Sequence, residues 1–256
     1  MDLNLKNKNV LITGGSRGIG LSIAKSFLNE GARVQIVSRG SRYLYENELK
    51  LKDQYGEDNV IARKCDCTNS DDLLKLKDKI MNDWENLDIL ISNVGNGESV
   101  NDPLPSKKNW ENTWNNNFES SLNTTRTFLP MLEKSKGVIL FISSIAGIEA
   151  FGAPTDYSTA KLAIIGLAKN LARKLAPDVR VNVIAPGNIL FEDGSWDKKI
   201  KNNSKDVEEM IQSQVPMKRF GTPEDVSEAA VFLCSNKAKF ITATTLVIDG
   251  GQTKNF

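Results

Sequence analysis

The chain has 256 residues, 40% of them hydrophobic, and 33 basic against 32 acidic residues, for a formal net charge of +1. That length suits one large α/β domain spanning residues 1–256, and the balanced charge argues against a nucleic-acid partner or an anionic membrane surface. Histidine is absent, which excludes Ser–His, Cys–His and His–metal mechanisms and leaves Tyr, Lys and carboxylates to handle protons.

The first residues, MDLNLKNKNV, lack a cationic segment followed by an apolar one, and the apolar runs are too short to cross a bilayer. A cytoplasmic protein without a membrane partner is therefore expected. The cysteines are Cys65, Cys67 and Cys234, an odd number without a C-x-x-C motif. They predict reduced thiols, with neither a disulfide framework nor a metal site.

Short runs rich in Val and Ile recur along the chain, and each predicts a buried strand. They span Asn9 to Thr13, Arg33 to Ser38, Val60 to Lys64, Asp88 to Ser92, Val138 to Ser143, Arg180 to Ala185 and Leu246 to Asp249. Stretches with helical spacing lie between them. The alternation predicts a doubly wound parallel sheet, a Rossmann fold with helices on both faces. Two polar insertions, 96–117 and 188–216, are expected to form site loops or lids.

A glycine-rich segment, Thr13 to Gly20, follows the first predicted strand directly and opens into a helix. Glycines let the backbone approach a pyrophosphate, and the positive end of a helix favours an anion. An ordinary turn with incidental glycines is the alternative, and the second strand about 20 residues downstream disfavours it. The segment predicts a dinucleotide site that includes Gly14, Ser16, Arg17, Gly18, Ile19 and Gly20.

The second predicted strand ends at Ser38 and Arg39, with no acidic residue where a ribose 2′-hydroxyl would require one. A carboxylate would repel a 2′-phosphate, whereas a guanidinium binds it in a forked, charge-assisted contact. The pattern favours NADP(H), with Ser16 and Arg17 as helpers, and leaves NAD(H) possible. The alternative is that Arg39 is a solvated loop charge.

Tyr157 and Lys161 lie four residues apart at the start of a predicted helix, so the phenol and the ammonium share one face. A phenol titrates at about pH 10 and needs a nearby positive charge to exchange a proton near neutrality, which Lys161 supplies. Ser144, preferred over Ser143, would hold the substrate oxygen. Such a Tyr and Lys pair is usually an amphipathic surface pair, but its coincidence with the glycine loop favours catalysis.

These motifs together resemble the short-chain dehydrogenase/reductase family over nearly the whole chain. The shared motifs are T-G-x-x-x-G-x-G at Thr13 to Gly20, Asp66 after the third strand, N-x-G at Asn93 to Gly95, Y-x-x-x-K at Tyr157 and Lys161, Pro186-Gly187 after the sixth strand, and Asp249 to Gly251. The resemblance implies an NAD(P)(H)-dependent oxidoreductase that interconverts a ketone and a secondary alcohol by hydride transfer.

The resemblance also implies roles for individual residues. Asp66 would hydrogen-bond the adenine amino group, Asn93 would brace the coenzyme side of the sheet, and Ile189 would lie against the carboxamide. Asn117 would be a catalytic asparagine that holds a water behind Lys161, with Asn115 and Asn116 leaving the register open. The remaining predicted coenzyme-binding residues are Cys67, Gly95, Tyr157, Lys161, Pro186 and Gly187.

One departure from the family pattern concerns the segment after the sixth strand. Phe191 stands where the P-G-x-x-x-T motif of the family has threonine, which puts one coenzyme carboxamide contact in question. The proton-transfer residues are untouched, so activity is still expected.

Substrate selectivity is expected from the two insertions and from the segment between Ser144 and Tyr157. The candidate residues are Asn96, Glu98, Glu149, Phe151, Asn188 and Trp196. An aromatic group with carboxylates suits a small-molecule sugar or polyol. Several stretches also resemble a family branch of bacterial surface-polysaccharide and flagellin-glycan pathways, which implies a sugar or nucleotide-sugar ketone.

Two alternatives to that function stay open. A 3-oxoacyl-(acyl-carrier-protein) reductase shares the catalytic frame and would require an exposed basic patch beside the cleft. A non-catalytic dinucleotide-binding sensor or scaffold is disfavoured because Ser144, Tyr157 and Lys161 are all present. The resemblance further implies a homo-oligomer, a dimer or tetramer, that pairs through the helices carrying Asn117 and Tyr157.

Overall fold

The structure is a computed structural model that describes residues 2–254. Within those residues the strands are β1 (Asn9–Thr13), β2 (Arg33–Ser38), β3 (Val60–Lys64), β4 (Ile89–Ser92), β5 (Val138–Ile142), β6 (Arg180–Pro186) and β7 (Thr245–Ile248). They form one parallel sheet in the order β3-β2-β1-β4-β5-β6-β7. The predicted strands are confirmed, and their ends differ from the prediction by one residue at most.

The helices of the described chain follow the strands in alternation. They are α1 (Gly18–Asn29), α2 (Arg42–Tyr55), α3 (Ser70–Trp84), α4 (Lys107–Trp114), α5 (Ser120–Ser135), α6 (Thr155–Leu175), α7 (Ser195–Asn202), α8 (Ser204–Gln214) and α9 (Pro223–Cys234). No helix among residues 2–254 is both long enough and apolar enough to span a membrane.

Two apolar clusters cover the two faces of the sheet. Ile12 of β1 packs with α1, α2 and α9 on one face, while Leu11 packs with α3, α5 and α6 on the other. Strands buried on both faces are apolar at most successive positions, which explains why they read as runs rich in Val and Ile. Gln35 of β2 and Asn182 of β6 are buried polar exceptions. The predicted doubly wound architecture is confirmed.

The order of the strands in the sheet determines where the candidate site lies. The chain crosses from β1 to β2 and β3 in one direction and returns to β4 on the other side of β1. The segments that follow β1 and β4 therefore diverge and leave a crevice at the carboxyl edge of the sheet, where ligands bind in this architecture. The insertion at 96–117 begins there, and the insertion at 188–216 folds into α7 and α8 beside it.

Candidate active site

A cleft of about 710 Å³ opens beyond the carboxyl ends of β1 and β4. Most of the predicted coenzyme residues line it, namely Gly14, Ser16, Arg17, Ile19, Gly20, Ser38, Arg39, Asp66, Cys67, Asn93, Gly95, Tyr157 and Lys161. The glycine loop and the Tyr–Lys pair, far apart in the sequence, therefore share one cleft.

The glycine loop depends on close backbone packing. Gly14 has a φ of +66°, and a Cβ added to Gly20 would lie 2.4 Å from the carbonyl oxygen of Gly14. Asn93 braces this turn, because its Nδ2 donates to the carbonyl oxygens of Thr13 at 3.0 Å and Gly14 at 3.1 Å. The loops after β1 and β4 are thus tied together, and the backbone is left bare of side chains where a pyrophosphate would approach.

The cleft extends past the end of β2. Arg39 is exposed at its rim, whereas the nearby Arg42 pairs with Glu46 at 3.5 Å. Asp66 lines the opposite wall, and its Oδ1 accepts hydrogen bonds from the amide and hydroxyl of Thr68 at 2.9 and 2.8 Å. These contacts fix the Asp66 carboxylate beside the cleft and place a guanidinium at its mouth.

The segment after β6 closes over the glycine loop. A Cβ on Gly18 would lie 2.6 Å from the ring of Phe191, so the ring rests directly on the loop. Arg17 donates to the carbonyl oxygen of Asp193 at 3.1 Å, and the Tyr43 hydroxyl donates to the Asp193 carboxylate at 2.8 Å. No sequence motif predicts the contribution of Tyr43, because only the packing of α2 against this segment brings it there.

Tyr157 and Lys161 face each other on the first turns of α6. The Nζ of Lys161 is 5.8 Å from the centre of the Tyr157 ring and donates to the carbonyl oxygen of Ile142 at 3.2 Å. Lys161 is 4% exposed, and its burial lowers the pKa of the ammonium to about 8. Burial raises the pKa of Tyr157, and a hydrogen bond with Ser144 opposes that increase. The sequence predicts that Lys161 lowers this pKa, but in the structure burial sets the direction.

The two neighbouring serines after β5 have different partners. Ser143 is buried and its hydroxyl donates to the carbonyl oxygen of Lys161 at 2.8 Å, which fastens α6 to β5. Ser144 instead hydrogen-bonds Tyr157 and accepts from the amide of Ala146 at 3.1 Å. Of the two hydroxyls, Ser144 is therefore the one placed beside the phenol.

Asn117 lies in a π-helical turn, Asn115–Glu119, between α4 and α5. It is fully buried, and its Nδ2 donates to the carbonyl oxygens of Asn96 at 3.1 Å and Thr113 at 3.0 Å. Its Oδ1 accepts from the amide of Asn96 at 3.2 Å. The Asn116 side chain turns back to its own helix, so Asn117 is the asparagine that reaches the loop after β4.

The side chains of Asn117 and Lys161 approach each other at Gly95. A Cβ at Gly95 would lie 2.6 Å from Oδ1 of Asn117 and 2.8 Å from Nζ of Lys161. Only a glycine leaves room for both groups at this point of the cleft.

The predicted residues after β6 lie apart from the cleft lining. The amide of Gly187, which follows Pro186, donates to the carbonyl oxygen of Ile248 at 2.8 Å. Ile189 is buried, packs on Gly221 and lines a second cavity of about 230 Å³. Within residues 2–254, Pro186, Gly187 and Ile189 are therefore absent from the lining of the large cleft.

Two of the candidate substrate residues line the cleft. They are Asn96 and Glu98, and the Glu98 carboxylate pairs with Nζ of Lys198 on α7 at 2.6 Å. Asn188 donates to Gln252 at 2.9 Å and borders the smaller cavity. The wall of the cleft near Tyr157 is therefore polar and carries charges of both signs.

Other candidate substrate residues have structural partners instead. Trp196 packs on Phe220 with ring centres 5.6 Å apart, and Lys199 lies over its ring at 4.3 Å. Glu149 accepts from the amide of Lys254 at 2.9 Å. Among residues 2–254 no group of three or more Cys, Asp or Glu side chains is arranged to hold a metal ion.

Proteins similar to this chain include several that are named reductases. The family model described as enoyl-(acyl carrier protein) reductase matches residues 14–253. The 3-oxoacyl-(acyl-carrier-protein) reductase FabG of Chlamydia trachomatis is 34% identical over 250 residues, which cover 97% of this chain and 98% of the relative. Short-chain dehydrogenase/reductase SDRA of Arabidopsis thaliana is 35% identical over 254 residues, covering 97% and 95% of the two chains.

A solved structure matches over the full length. L-sorbose reductase from Gluconobacter frateurii, in complex with NADPH and L-sorbose, superposes with a TM-score of 0.92 at 30% identity and covers 100% of both chains.

Proposed function

The chain belongs to the short-chain dehydrogenase/reductase family, and on that premise we propose that it interconverts a ketone and a secondary alcohol, with Tyr157 as the proton donor and acceptor. The observation that carries the proposal is the phenol of Tyr157 lying in the same cleft as the glycine loop, flanked by Ser144 and Lys161. A bound nicotinamide dinucleotide would supply or accept the hydride.

Each residue beside the phenol has a distinct task in this proposal. Ser144 holds the carbonyl oxygen of the substrate, and Tyr157 donates its proton to that oxygen as the alcohol forms. The raised pKa of Tyr157 keeps the phenol protonated until then. Lys161, largely charged at neutral pH with a pKa of about 8, stabilises the phenolate that remains. Asn117 would hold the water that returns a proton through Lys161.

The residues of the cleft fit a dinucleotide, and we favour NADP(H). Gly14 and Gly20 leave the backbone open to a pyrophosphate, and Asp66, which lines the cleft, would accept a hydrogen bond from the adenine amino group. Arg39 stands at the rim where β2 ends, without a carboxylate that would repel a 2′-phosphate. The similar L-sorbose reductase was solved with NADPH, which supports the same preference.

The coenzyme proposal is tested by replacing Arg39 with alanine. Loss of one charge-assisted contact should lower kcat/KM for NADPH by about 10- to 100-fold and change the value for NADH little. Lys50→Ala, which removes an exposed cation of α2 outside the cleft lining, is the control. An unchanged ratio of the two coenzymes in Arg39→Ala would contradict the assignment.

The catalytic proposal is tested by replacing Tyr157 with phenylalanine. Removing a proton donor should lower kcat by about 10²- to 10⁴-fold while the coenzyme Kd, measured by fluorescence titration, stays unchanged. Tyr45→Phe, on the exposed side of α2, is the control. Turnover that survived in Tyr157→Phe would contradict the role of Tyr157 as proton donor. A wild type that binds coenzyme but turns over no ketone would favour the sensor or scaffold alternative.

For the substrate we propose a polyhydroxylated ketone of the sugar type. Asn96 and Glu98 give the cleft a polar wall, and the similarity to L-sorbose reductase extends over the full length. The relatives named above lend no support to the narrower prediction of a polysaccharide or flagellin-glycan pathway, which stays a resemblance of sequence.

A second candidate substrate is a 3-oxoacyl group on an acidic carrier protein. The FabG relative supports it, and α7 presents Lys198, Lys199 and Lys201 on its exposed surface, with Ser195 of the same helix lining the cleft. These cations, of which Lys198 pairs with Glu98 and Lys201 with Asp197, support an acidic carrier as the alternative partner.

One screen separates the two substrate classes. Purified protein is offered keto sugars, nucleotide sugars and 3-oxoacyl thioesters, and coenzyme absorbance is followed. Lys199→Glu should raise KM for a carrier-linked thioester and leave KM for a free keto sugar unchanged. Turnover of thioesters alone would overturn the sugar proposal.

A further inference from the structure

A short segment of the loop between β4 and α4, Asn96 to Ser99, runs past the reacting end of Tyr157. A Cβ on Gly97 would lie 3.9 Å from Cζ of Tyr157, the ring carbon that bears the hydroxyl. The side chain of Asn117 holds the backbone of Asn96 at one end of the segment. Whatever holds the other end sets the distance between this wall of the cleft and the phenol.

The other end is held by a buried carboxylate. Asp156 precedes Tyr157 in the first turn of α6 and is 1% exposed. The Ser99 hydroxyl donates to its Oδ2 at 2.5 Å, and the amide of Tyr157 donates to its Oδ1 at 2.8 Å. Thr113 on α4 donates in turn to the Ser99 hydroxyl at 3.4 Å. One carboxylate thus joins the loop to the residue that carries the phenol.

The burial of the Asp156 carboxylate has to be explained. Burying an ionised group is costly unless hydrogen bonds replace its water, and those bonds then become strong and specific in geometry. The positive amino end of α6 lowers the free-energy cost of burying the Asp156 carboxylate. An exposed carboxylate would interact with that helix end equally well, so the helix end does not explain the burial. The buried carboxylate accepts a hydrogen bond from Ser99, and we take this contact to be the reason for its burial.

We propose that Asp156 is a positioning residue that acts through Ser99 to hold the Asn96–Ser99 segment against Tyr157. It thereby sets the width of the substrate pocket beside the reacting oxygen, without touching substrate or coenzyme. The proposal rests on the proposed function in one respect, that Tyr157 is the proton donor.

Two substitutions separate positioning from simple support of the helix. Ser99→Ala removes the link to the loop but leaves the bond from Asp156 to the Tyr157 amide. Asp156→Asn keeps an acceptor for that amide, and its Nδ2 can donate to the Ser99 oxygen, so the link survives with its direction reversed. A residue that only supported α6 would make Ser99→Ala silent.

The test measures hydrogen exchange of the Asn96 amide, which donates to Oδ1 of Asn117 and is therefore protected, in the full-length protein without substrate. Ser99→Ala should speed exchange about tenfold, Asp156→Ala similarly, and the double variant no further, while Asp156→Asn stays near the wild type. Ser227→Ala, which removes a buried serine hydroxyl on α9, is the control. Unchanged exchange in Ser99→Ala, or effects that add in the double variant, would overturn the proposal. If Asp156→Ala does not fold, the exchange rate of Ser99→Ala alone tests the proposal.

Kinetics supply a second measurement. With a ketone found in the screen, Ser99→Ala should raise KM about five- to tenfold, lower kcat less, and leave the coenzyme Kd unchanged. A wild-type protein without turnover would contradict the proposed function, and the exchange data would still decide the role of Asp156. Full turnover with unchanged exchange in Ser99→Ala would reject the positioning role alone.

Discussion

Lys161 keeps an ammonium group inside the protein with the carbonyl oxygen of Ile142 as its hydrogen-bond acceptor. Burial disfavours the charged form, which is why its pKa is lowered to about 8. A site that needs a positive charge beside Tyr157 therefore carries a cost in stability. That cost has a measurable pH dependence.

The pH dependence of stability should reveal this cost. An unfolded lysine has its ordinary pKa of 10.5, so between about pH 8 and 10.5 the unfolded chain binds more protons than the folded chain. The unfolding free energy then rises with pH because of Lys161, by at most about 1.4 kcal/mol per pH unit. Below about pH 8 Lys161 is protonated in both the folded and the unfolded chain, so its contribution to the unfolding free energy no longer changes with pH.

Urea unfolding of wild type and Lys161→Met at several values between pH 7 and 9.5 measures the effect. Methionine removes the buried charge, so the variant should be the more stable protein at pH 7. Its advantage should shrink as the pH rises, because the wild-type lysine loses its proton. Parallel curves for the two proteins would show that burial does not shift the pKa of Lys161.

At the scale of elements, α9 shows how local sequence fixes a boundary. Thr222 accepts at its hydroxyl from the amide of Asp225 at 3.3 Å, and the Asp225 carboxylate accepts from the amide of Thr222 at 2.8 Å. Pro223 occupies the first turn, where its missing N–H is no loss. This capping box starts α9 against α1, the helix that carries the glycine loop at its amino end.

Replacing Thr222 with alanine tests the contribution of the cap. The change should lower the unfolding free energy by about 1 kcal/mol, because the amide of Asp225 loses its acceptor. Thr222→Ser retains the hydroxyl and should stay within about 0.5 kcal/mol of the wild type. Urea unfolding at pH 7 gives both values, and equal stability of the alanine and serine variants would count against the cap.

The positions of the two insertions in the fold follow from the sequence, but their contacts do not. Their polarity and position at strand ends predict site loops. The contacts from Ser99 to Asp156 and from Tyr43 to Asp193 join residues 57 and 150 positions apart. No local spacing signals such pairs, since they exist only when α2, α6 and the insertions are packed together.

At the scale of the whole molecule, exposed apolar side chains mark surfaces for association. Leu162 on α6 is 57% exposed, and Gly166, one turn further, leaves that face flat and open. Phe232 on α9 and Leu246 on the edge strand β7 are each 37% exposed and offer a second apolar surface. We propose a homo-oligomer that uses both surfaces, in agreement with the homo-oligomer that the family resemblance implies.

Leu162→Lys tests the first of these surfaces. A lysine buried against a partner subunit without an acidic neighbour should break that interface and halve the molar mass in sedimentation equilibrium. Leu49→Lys changes a leucine on α2 that is more exposed still, at 68%, and should leave the mass unchanged. A wild type that sediments as a monomer would contradict the oligomer proposal itself.

The sequence by itself determined the order of strands and helices, the glycine loop and the Tyr157–Lys161 pair, because each is encoded by residues close together in the chain. A buried strand requires mainly apolar residues, and a helix places side chains four apart on one face. The tertiary structure alone decided the upward direction of the Tyr157 pKa, the link from Asp156 to the cleft wall and the position of Ile189 outside the cleft lining. Burial and contacts between distant segments are properties of packing, and they arise only when the elements meet.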